Sequence, residues 1–340
     1  MTEESIGKHI LITGGAGYLG SLLCGHLLRL GYMVTAVDDL LYGGESLLAY
    51  FSHPSFAFVK ANICEPRAIK NTIDSQKPRP AAVIHLAGII GFPACQAVGR
   101  QVAWRYNVEG TQRVFEQALD LGIERFITAT TYSNYATSHE DAPANEESAL
   151  NPQSLYAETM IGVEKYLIAQ RDSPCAPLIF RMAHLYGLSP RPRFDLIINQ
   201  FVWEAYSKRE LLIYQRGYSR SFVHVQDAVR GIVLGLRADE DIMRGQILNL
   251  GSSSGNLSKA KIVESILKRL PETTVLYKDL TFGGDMRDFH ISYQKIRETL
   301  GFETVYTIED GIKEVLNAIR IGIIDNPNDQ RYRNARFIVS

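Results

Sequence analysis

Short apolar runs alternate with amphipathic stretches through the first half of the chain. His9–Thr13 (HILIT) is an apolar run ending at a glycine cluster, which predicts a buried strand. Leu19–Leu30 sets Leu22, Leu23, His26, Leu27 and Leu30 at helical spacing, and Gly31 stops that helix. Met33–Val37, Phe56–Lys60, Ala82–Leu86 and Arg125–Ala129 predict four more strands. Helical segments lie between them, notably Val102–Leu121, and Phe92–Arg100 predicts a long loop. A further strand (LIFRMA) lies between Pro174 and Tyr186. Strands alternating with helices imply parallel strands joined by right-handed crossovers. The expectation is an α/β fold: a Rossmann-type, doubly wound parallel sheet.

After Ser189 the texture changes. Pro190–Phe194 (PRPRF) is a loop dense in Pro and Arg. Beyond it, helices over Leu196–Ser207, Lys259–Leu270 and Ile308–Ile321 mix with short strands. This predicts a first domain over residues 1–188, with later segments such as 219–254 returning to it. Residues 189–340 then form mainly a smaller α/β lobe. The polar tail from Asn326 is expected to pack loosely, apart from its last apolar residues.

Composition narrows the possibilities. A chain of 340 residues with 46% apolar and 21% charged positions is neither disordered nor a disulfide-stapled mini-protein. Lys plus Arg is 36 and Asp plus Glu 37, a net charge of −1, which gives no electrostatic case for nucleic acid or an anionic membrane. Cys24, Cys64, Cys95 and Cys175 lack metal-type spacing and read as reduced thiols. No apolar run approaches the roughly 18 residues of a membrane span, and the acidic, polar first residues make no secretory signal. A cytoplasmic protein without a metal is expected.

The chemistry starts at Thr13-Gly14-Gly15-Ala16-Gly17-Tyr18-Leu19-Gly20, between the first strand and the first helix. Gly14 allows a tight turn, Gly17 lets the backbone approach a pyrophosphate, and Gly20 lets the helix pack on the strand. The helix N-terminus then offers free N–H groups to phosphate. Asp38, at the end of the second strand and 18 positions after Gly20, can accept both ribose hydroxyls of adenosine. It would repel a 2′-phosphate, so NAD is favoured over NADP.

TGGAGYLG, VDD, HLAG (85–88), YNVEGT (106–111) and YAETM (156–160) follow in an order and spacing that resembles the extended short-chain dehydrogenase/reductases. The chain is similar to their nucleotide-sugar epimerase/dehydratase branch from about residue 8 to about residue 320. RMAHLYG (181–187), FDLIINQF (194–201), SRSFVHVQD (219–227) and LNLGSSS (248–254) match the same branch. The resemblance implies NAD as cofactor and a nucleoside-diphosphate sugar as substrate. It implies cofactor contacts at Gly14, Gly17, Tyr18, Leu19, Gly20, Asp38, Asp39, Asn62, Ile63, Leu86, Ala87, Gly88, Asn107 and Tyr156. It implies a catalytic hydroxyl at Thr131 and a general base at Tyr156, both against one sugar hydroxyl. Substrate contacts are implied at Thr131, Tyr132, His184, Asn199, Arg220 and Arg287, with a satisfied structural histidine as the alternative for His184 and solvated surface arginines for the last two. Arg191 and Arg193 either clamp substrate or are solvated. His224 reads as structural, with Asp227 capping the next helix.

The family's lysine, four residues after the tyrosine, is absent: position 160 is Met160. Lys165, at i+9, lies about 180° from Tyr156 around a helix and cannot replace it. Free tyrosine titrates near pH 10, so an unassisted Tyr156 is protonated at neutral pH. Three readings follow. The chain is an active variant using the cofactor's positive charge or another base, an impaired nucleotide-sugar binder, or a protein whose lysine was replaced to trap a complex. Hexose 4,6-dehydratases of the family carry an Asp-Glu pair where Tyr132 and Ser133 stand here, and the decarboxylases carry a Glu at the position of Ser133. Both reactions are disfavoured. A C4 epimerase is expected, with a C4 dehydrogenase or reductase as the alternative, and reduction of a non-sugar carbonyl fits the second half less well. The resemblance also implies a homodimer, through Val102–Leu121 and Tyr156–Gln170, with Met160, Val163, Leu167 and Ile168 on a partly intermolecular face.

Overall fold

The computed structural model describes residues 7–72, 78–278 and 287–335. Its centre is a seven-stranded, fully parallel sheet. The strands are β1 (His9–Thr13), β2 (Met33–Asp38), β3 (Phe56–Lys60), β4 (Ala82–His85), β5 (Arg125–Thr131) and β6 (Ala176–Met182). After β7 (His184–Tyr186), β8 (Glu210–Tyr214) and β9 (Ser219–His224), the chain returns to the sheet with β10 (Gln246–Leu250). The order β10-β6-β5-β4-β1-β2-β3 puts a topological switch between β1 and β4. In such sheets a ligand crevice opens at the carboxyl ends of the strands beside that switch.

The central strands are buried on both faces. All five residues of β1 and all seven of β6 are buried, the continuous apolar pattern of a covered parallel sheet. Helices α1 (Tyr18–Arg29), α2 (Phe92–Trp104), α3 (Gly110–Asp120) and α4 (Leu155–Ala169) follow β1, β4 and β5. One core, with Leu23, Leu27 and Ile232, lies on one face, and a second, with Phe115, Phe126 and Leu167, on the other. The smaller lobe has its own core, including Phe194, Val202, Ile266 and Val315. It is built from α5 (Ile197–Lys208), α8 (Lys259–Leu267) and α10 (Ile308–Arg320), with β8 parallel to β12 (Thr274–Lys278). Between these, α6 (Val225–Arg237) packs on α1, α7 (Glu240–Met243) precedes β10, and α9 (Gln294–Leu300) packs near β10. A three-stranded sheet runs β11 (Asn256–Ser258), β9, β7.

Several expectations change. Residues 92–100 are helical, not a loop. Pro93 sits in the first turn of α2, where its missing N–H costs nothing, and Gly99 kinks the helix at φ 78°. The predicted Val102–Leu121 helix is two helices joined by a π-helical turn at Arg105–Glu109. His224, not Asp227, caps α6, because its ring nitrogen accepts the Gln226 N–H at 3.3 Å. Asp227 instead accepts the N–H groups of Val305 and Tyr306. Met160, Val163 and Leu167 face the core of their own chain rather than a partner. The tail from Asn326 is fastened rather than loose, with Asn334 buried. The last apolar residues, Phe337, Ile338 and Val339, lie outside the described residues, as does Gly283–Met286 of the segment before Arg287.

Candidate active site

A cavity of 1450 Å³ opens at the carboxyl ends of β1, β2, β4 and β5. At one end lies the glycine turn. Gly14 takes φ 73°, and a Cβ there would come within 2.7 Å of the Ala87 backbone nitrogen. A Cβ at Gly20 would collide with the Gly14 carbonyl oxygen. Only glycine lets the β1 turn, the β4 turn and α1 meet this closely. The Asp38 carboxylate accepts the Ala16 N–H at 3.0 Å and the Leu40 N–H at 2.8 Å, which fixes the turn against β2. Burial raises the Asp38 carboxyl above its ordinary range. Asp39 accepts from Asn62 at 3.0 Å, and Asn62 also meets the Tyr106 hydroxyl at 3.0 Å. Tyr18 donates to the Gly187 carbonyl at 2.8 Å, tying the turn to the second half of the chain. The backbone cradle, the side-chain-free approach at Gly14 and the carboxylate at the end of β2 fit the diphosphate and ribose of a dinucleotide.

Leu86, Ala87 and Gly88 line the middle of the cavity, as do Leu19 and Ile63. Behind them His85 sits between the Thr13 hydroxyl at 2.7 Å and the Thr111 hydroxyl at 2.9 Å. Burial drives its imidazole down to about 3, so it is neutral. Asn107 reaches the wall, but its amide serves the 88–90 turn. Its oxygen accepts the Ile89 N–H at 2.7 Å, and its nitrogen donates to the Ile89 carbonyl at 3.1 Å and the Thr159 hydroxyl at 3.0 Å. The π-helical turn is what aims it there.

At the other end stand Thr131, Tyr156 and Met160. Thr131 ends β5, and its hydroxyl accepts the Ser133 N–H at 3.1 Å, leaving its own hydrogen for another acceptor. Tyr156 lies in the first turn of α4, which Ser154 caps by accepting the Ala157 N–H at 3.1 Å. Met160 is one turn further along the same face, buried, and brings no charge. Lys165 is exposed. Burial pushes the Tyr156 phenol well above 10, the Cys95 thiol adds to the rise, and the Arg193 guanidinium opposes it.

His184, Arg220 and Arg287 also reach the wall. Phe289 lies between the two guanidiniums, at 5.2 Å from Arg220 and 4.7 Å from Arg287. Arg287 donates to the Tyr135 carbonyl at 2.5 Å and the Asn151 carbonyl at 2.8 Å, and Arg220 to the Arg287 carbonyl at 2.6 Å. Both arginines are buried, so the solvated alternative does not hold for them. The same is true of Arg191 and Arg193. Two expected contacts do not reach the cavity. Tyr132 is 0% exposed, its ring between His184 and Phe289, because the turn after β5 sends Thr131 and Ser133 outward and Tyr132 inward. Asn199 is also 0% exposed, and its amide is taken up by Gly187 N–H, Gly187 carbonyl and Arg193 carbonyl.

Sequence reasoning missed Glu164. It is buried in α4 and accepts from the Thr130 hydroxyl at 2.6 Å, Asn134 at 2.9 Å and Arg181 at 2.7 Å. It thereby braces the 130–134 turn that carries Thr131. The signal was present: a carboxylate in an apolar helix face and an arginine in an all-buried strand. Arg191 and Arg193 were expected either to clamp substrate or to be solvated, but Asp195 and Asn334, which bond to them, were missed.

The NAD dependent epimerase/dehydratase family matches residues 10–251. The UDP-glucuronate 4-epimerase of Thermodesulfobacterium geofontis is 28% identical over 332 residues, covering 91% of this chain and 95% of its own. A dTDP-glucose 4,6-dehydratase of Streptomyces griseus is 27% identical over 314 residues, covering 89% and 92%. The structure of the UDP-glucose 4-epimerase of Thermotoga maritima superposes with a TM-score of 0.81 at 25% identity, covering 93% of this chain and 99% of that one. With a glycine cradle that fits a dinucleotide, a seven-stranded parallel sheet that opens a crevice beside it, and a family match across most of its length, this chain belongs to the NAD dependent epimerase/dehydratase family, and NAD is its cofactor.

Proposed function

We propose that the protein interconverts nucleoside-diphosphate sugars that differ at C4, as an epimerase. NAD, held by the Gly14–Gly20 turn and by Asp38, supplies a hydride acceptor and donor. Tyr156 takes the proton from the sugar's C4 hydroxyl, and Thr131 holds that hydroxyl by a hydrogen bond. The tightly buried Arg220 and Arg287 fit the substrate diphosphate. Water is kept out by the apolar wall around Ile89, Ala94 and Met160.

One observation carries the choice of reaction. Among the described residues, the carboxylates on the cavity wall are Asp38, Asp39 and Asp195. All three are engaged at the cofactor end, by Ala16 and Leu40, by Asn62, and by Arg193. Elimination of water needs a carboxylate acid and base beside the sugar, and the turn after Thr131 offers Ser133. The names of the relatives do not decide this, since the epimerase and the dehydratase above are almost equally similar.

Met160 favours a second reading, in which the chain binds NAD and a sugar nucleotide without turning it over, or releases a ketone as a C4 dehydrogenase. The test is chromatography and mass spectrometry after incubation with a panel of nucleotide-hexoses and nucleotide-uronic acids. An isomer of unchanged mass is expected. Loss of two hydrogens would make it a dehydrogenase, and loss of water or carbon dioxide would overturn the proposal.

A cytoplasmic homodimer belongs to the same reading. Four free, buried cysteines suit a reducing compartment. Exposed Trp104 on α2, beside Gly162 of α4, offers apolar surface for a second copy. No described helix is long and apolar enough to cross a membrane.

A further inference from the structure

In the sheet, β1 lies between β4 and β2, so the turn leaving β1 is flanked by the turns that leave those two strands. Asn334 spans both flanks. Its amide donates to the Ile90 carbonyl, after β4, at 3.2 Å. Its backbone carbonyl accepts from the Tyr42 hydroxyl, after β2, at 3.0 Å. Its amide oxygen accepts from Arg191 at 2.7 Å, and its N–H donates to Asp195 at 3.1 Å. Every polar group of this residue is used, and it is 5% exposed. Neighbouring bonds fasten the same segment: Arg191 donates to the Arg331 carbonyl at 3.3 Å, and Phe194 N–H to the Tyr332 carbonyl at 2.9 Å.

The loop so held brings two guanidiniums to the cavity. Arg191 and Arg193 are 7% and 9% exposed. Asp195 accepts both arms of Arg193 at 2.9 Å, and the Asp38 carboxylate acts on Arg191 through space. Arg191 lies 4.1 Å over the Tyr42 ring, and its Nε has no hydrogen-bond partner among the described residues. Burial, and then the neighbouring Arg193 charge, lower the Arg191 guanidinium to about 10. A buried guanidinium N–H without an acceptor is costly, and an anion entering the cavity here would supply one.

We propose that Arg191 and Arg193, latched by Asn334, close over a diphosphate on the glycine turn and keep the dinucleotide bound from one turnover to the next. The inference rests on the C4 reading only in its consequence: a retained dinucleotide suits an enzyme that returns its hydride. Two diphosphates have the right chemistry, that of NAD and that of the sugar nucleotide. The position over the β1 turn selects NAD.

The test compares wild type with Asn334→Ala, Arg191→Gln and the charge-keeping Arg191→Lys. Release of NAD is timed after rapid removal of free cofactor, and UDP affinity is measured by calorimetry. Asn334→Ala and Arg191→Gln should release NAD at least about tenfold faster, Arg191→Lys less so, with UDP affinity unchanged. Unchanged release overturns the latch. Loss of UDP affinity alone assigns the pair to the sugar nucleotide and also overturns it. Wild type serves as its own control against misfolded variants: isotopically labelled NAD in excess should not exchange into it over many turnovers, and exchange at each turnover overturns the proposal. Retention in a protein that converts no sugar nucleotide supports the latch and counts against the C4 reading alone.

Discussion

The two ends of the cavity are built to opposite degrees. The cofactor end is held many times over: glycines that admit no side chain, Asp38 with two backbone partners, and a buried arginine pair closed by Asn334. The reaction end has the hydroxyls of Thr131 and Tyr156, and a thioether where the family places an ammonium. Burial there works against the phenolate that a base requires. Binding and proton transfer are therefore separable in this fold. The Arg193 guanidinium opposes the effect of burial only in part, so a positively charged cofactor beside Tyr156 would contribute to the acid–base chemistry as well as carry hydride.

The contrast breaks most sharply at Tyr156. Tyr156→Phe should lower turnover by about 10²–10⁴-fold while leaving NAD retention intact. Steady-state rates and cofactor content of the purified variant check this, and equal turnover would remove Tyr156 from the role of base.

The reaction end substitutes rigidity for charge, through Glu164. Its side chain and that of Arg181 are each 4% exposed. Glu164→Gln leaves the guanidinium buried without its carboxylate, which should cost about 3–5 kcal/mol by urea denaturation. Turnover should fall as the Thr131 turn loosens.

Met160→Lys tests the missing charge itself. A nearby ammonium stabilises the phenolate, so the Tyr156 titration moves down. Turnover limited by that base rises with pH, so its acid limb should move to lower pH, by on the order of 1–3 pH units. Near neutrality the rate should rise roughly tenfold for each pH unit that the limb moves. A pH–rate profile superimposable on wild type would mean that charge at position 160 is irrelevant.

Much of this was legible in the sequence, and the reason is distance along the chain. The glycine turn and Asp38 sit at strand ends, where local spacing implies geometry, while Thr131 and Tyr156 were placed by the family resemblance. The turn at 92–100 was misread because Gly91, Pro93 and Gly99 look like loop punctuation, whereas the helix absorbs the proline at its start and the glycine as a kink. Asn334 meets Ile90 across 244 positions and Tyr42 across 292. No local pattern encodes such a meeting. Glu164 was visible as a charge out of place, but its partner in β6 appears only once the sheet is assembled.

A smaller effect separates the framework from the chemistry. His85 is buried neutral, down to about 3, against about 6.5 in an unfolded chain. Below pH 6.5 the unfolded chain takes up a proton that the folded one refuses. Stability should therefore fall as pH drops from about 6.5 toward 3, by at most about 1.4 kcal/mol per pH unit from this group. Urea unfolding at pH 7 and pH 5 should show a shallower loss in His85→Gln than in wild type.

The decisive measurement follows one hydrogen. The purified protein, with no NAD added, is given a nucleotide sugar deuterated at C4, starting with UDP-glucuronic acid and UDP-glucose. A single turnover is stopped and the products are separated. A C4 epimer of unchanged mass that keeps its deuterium is expected, because the same bound cofactor takes and returns it. An epimer without deuterium would contradict both the retained cofactor and the chemistry assigned to it, and no product from protein loaded with NAD would contradict the chemistry alone.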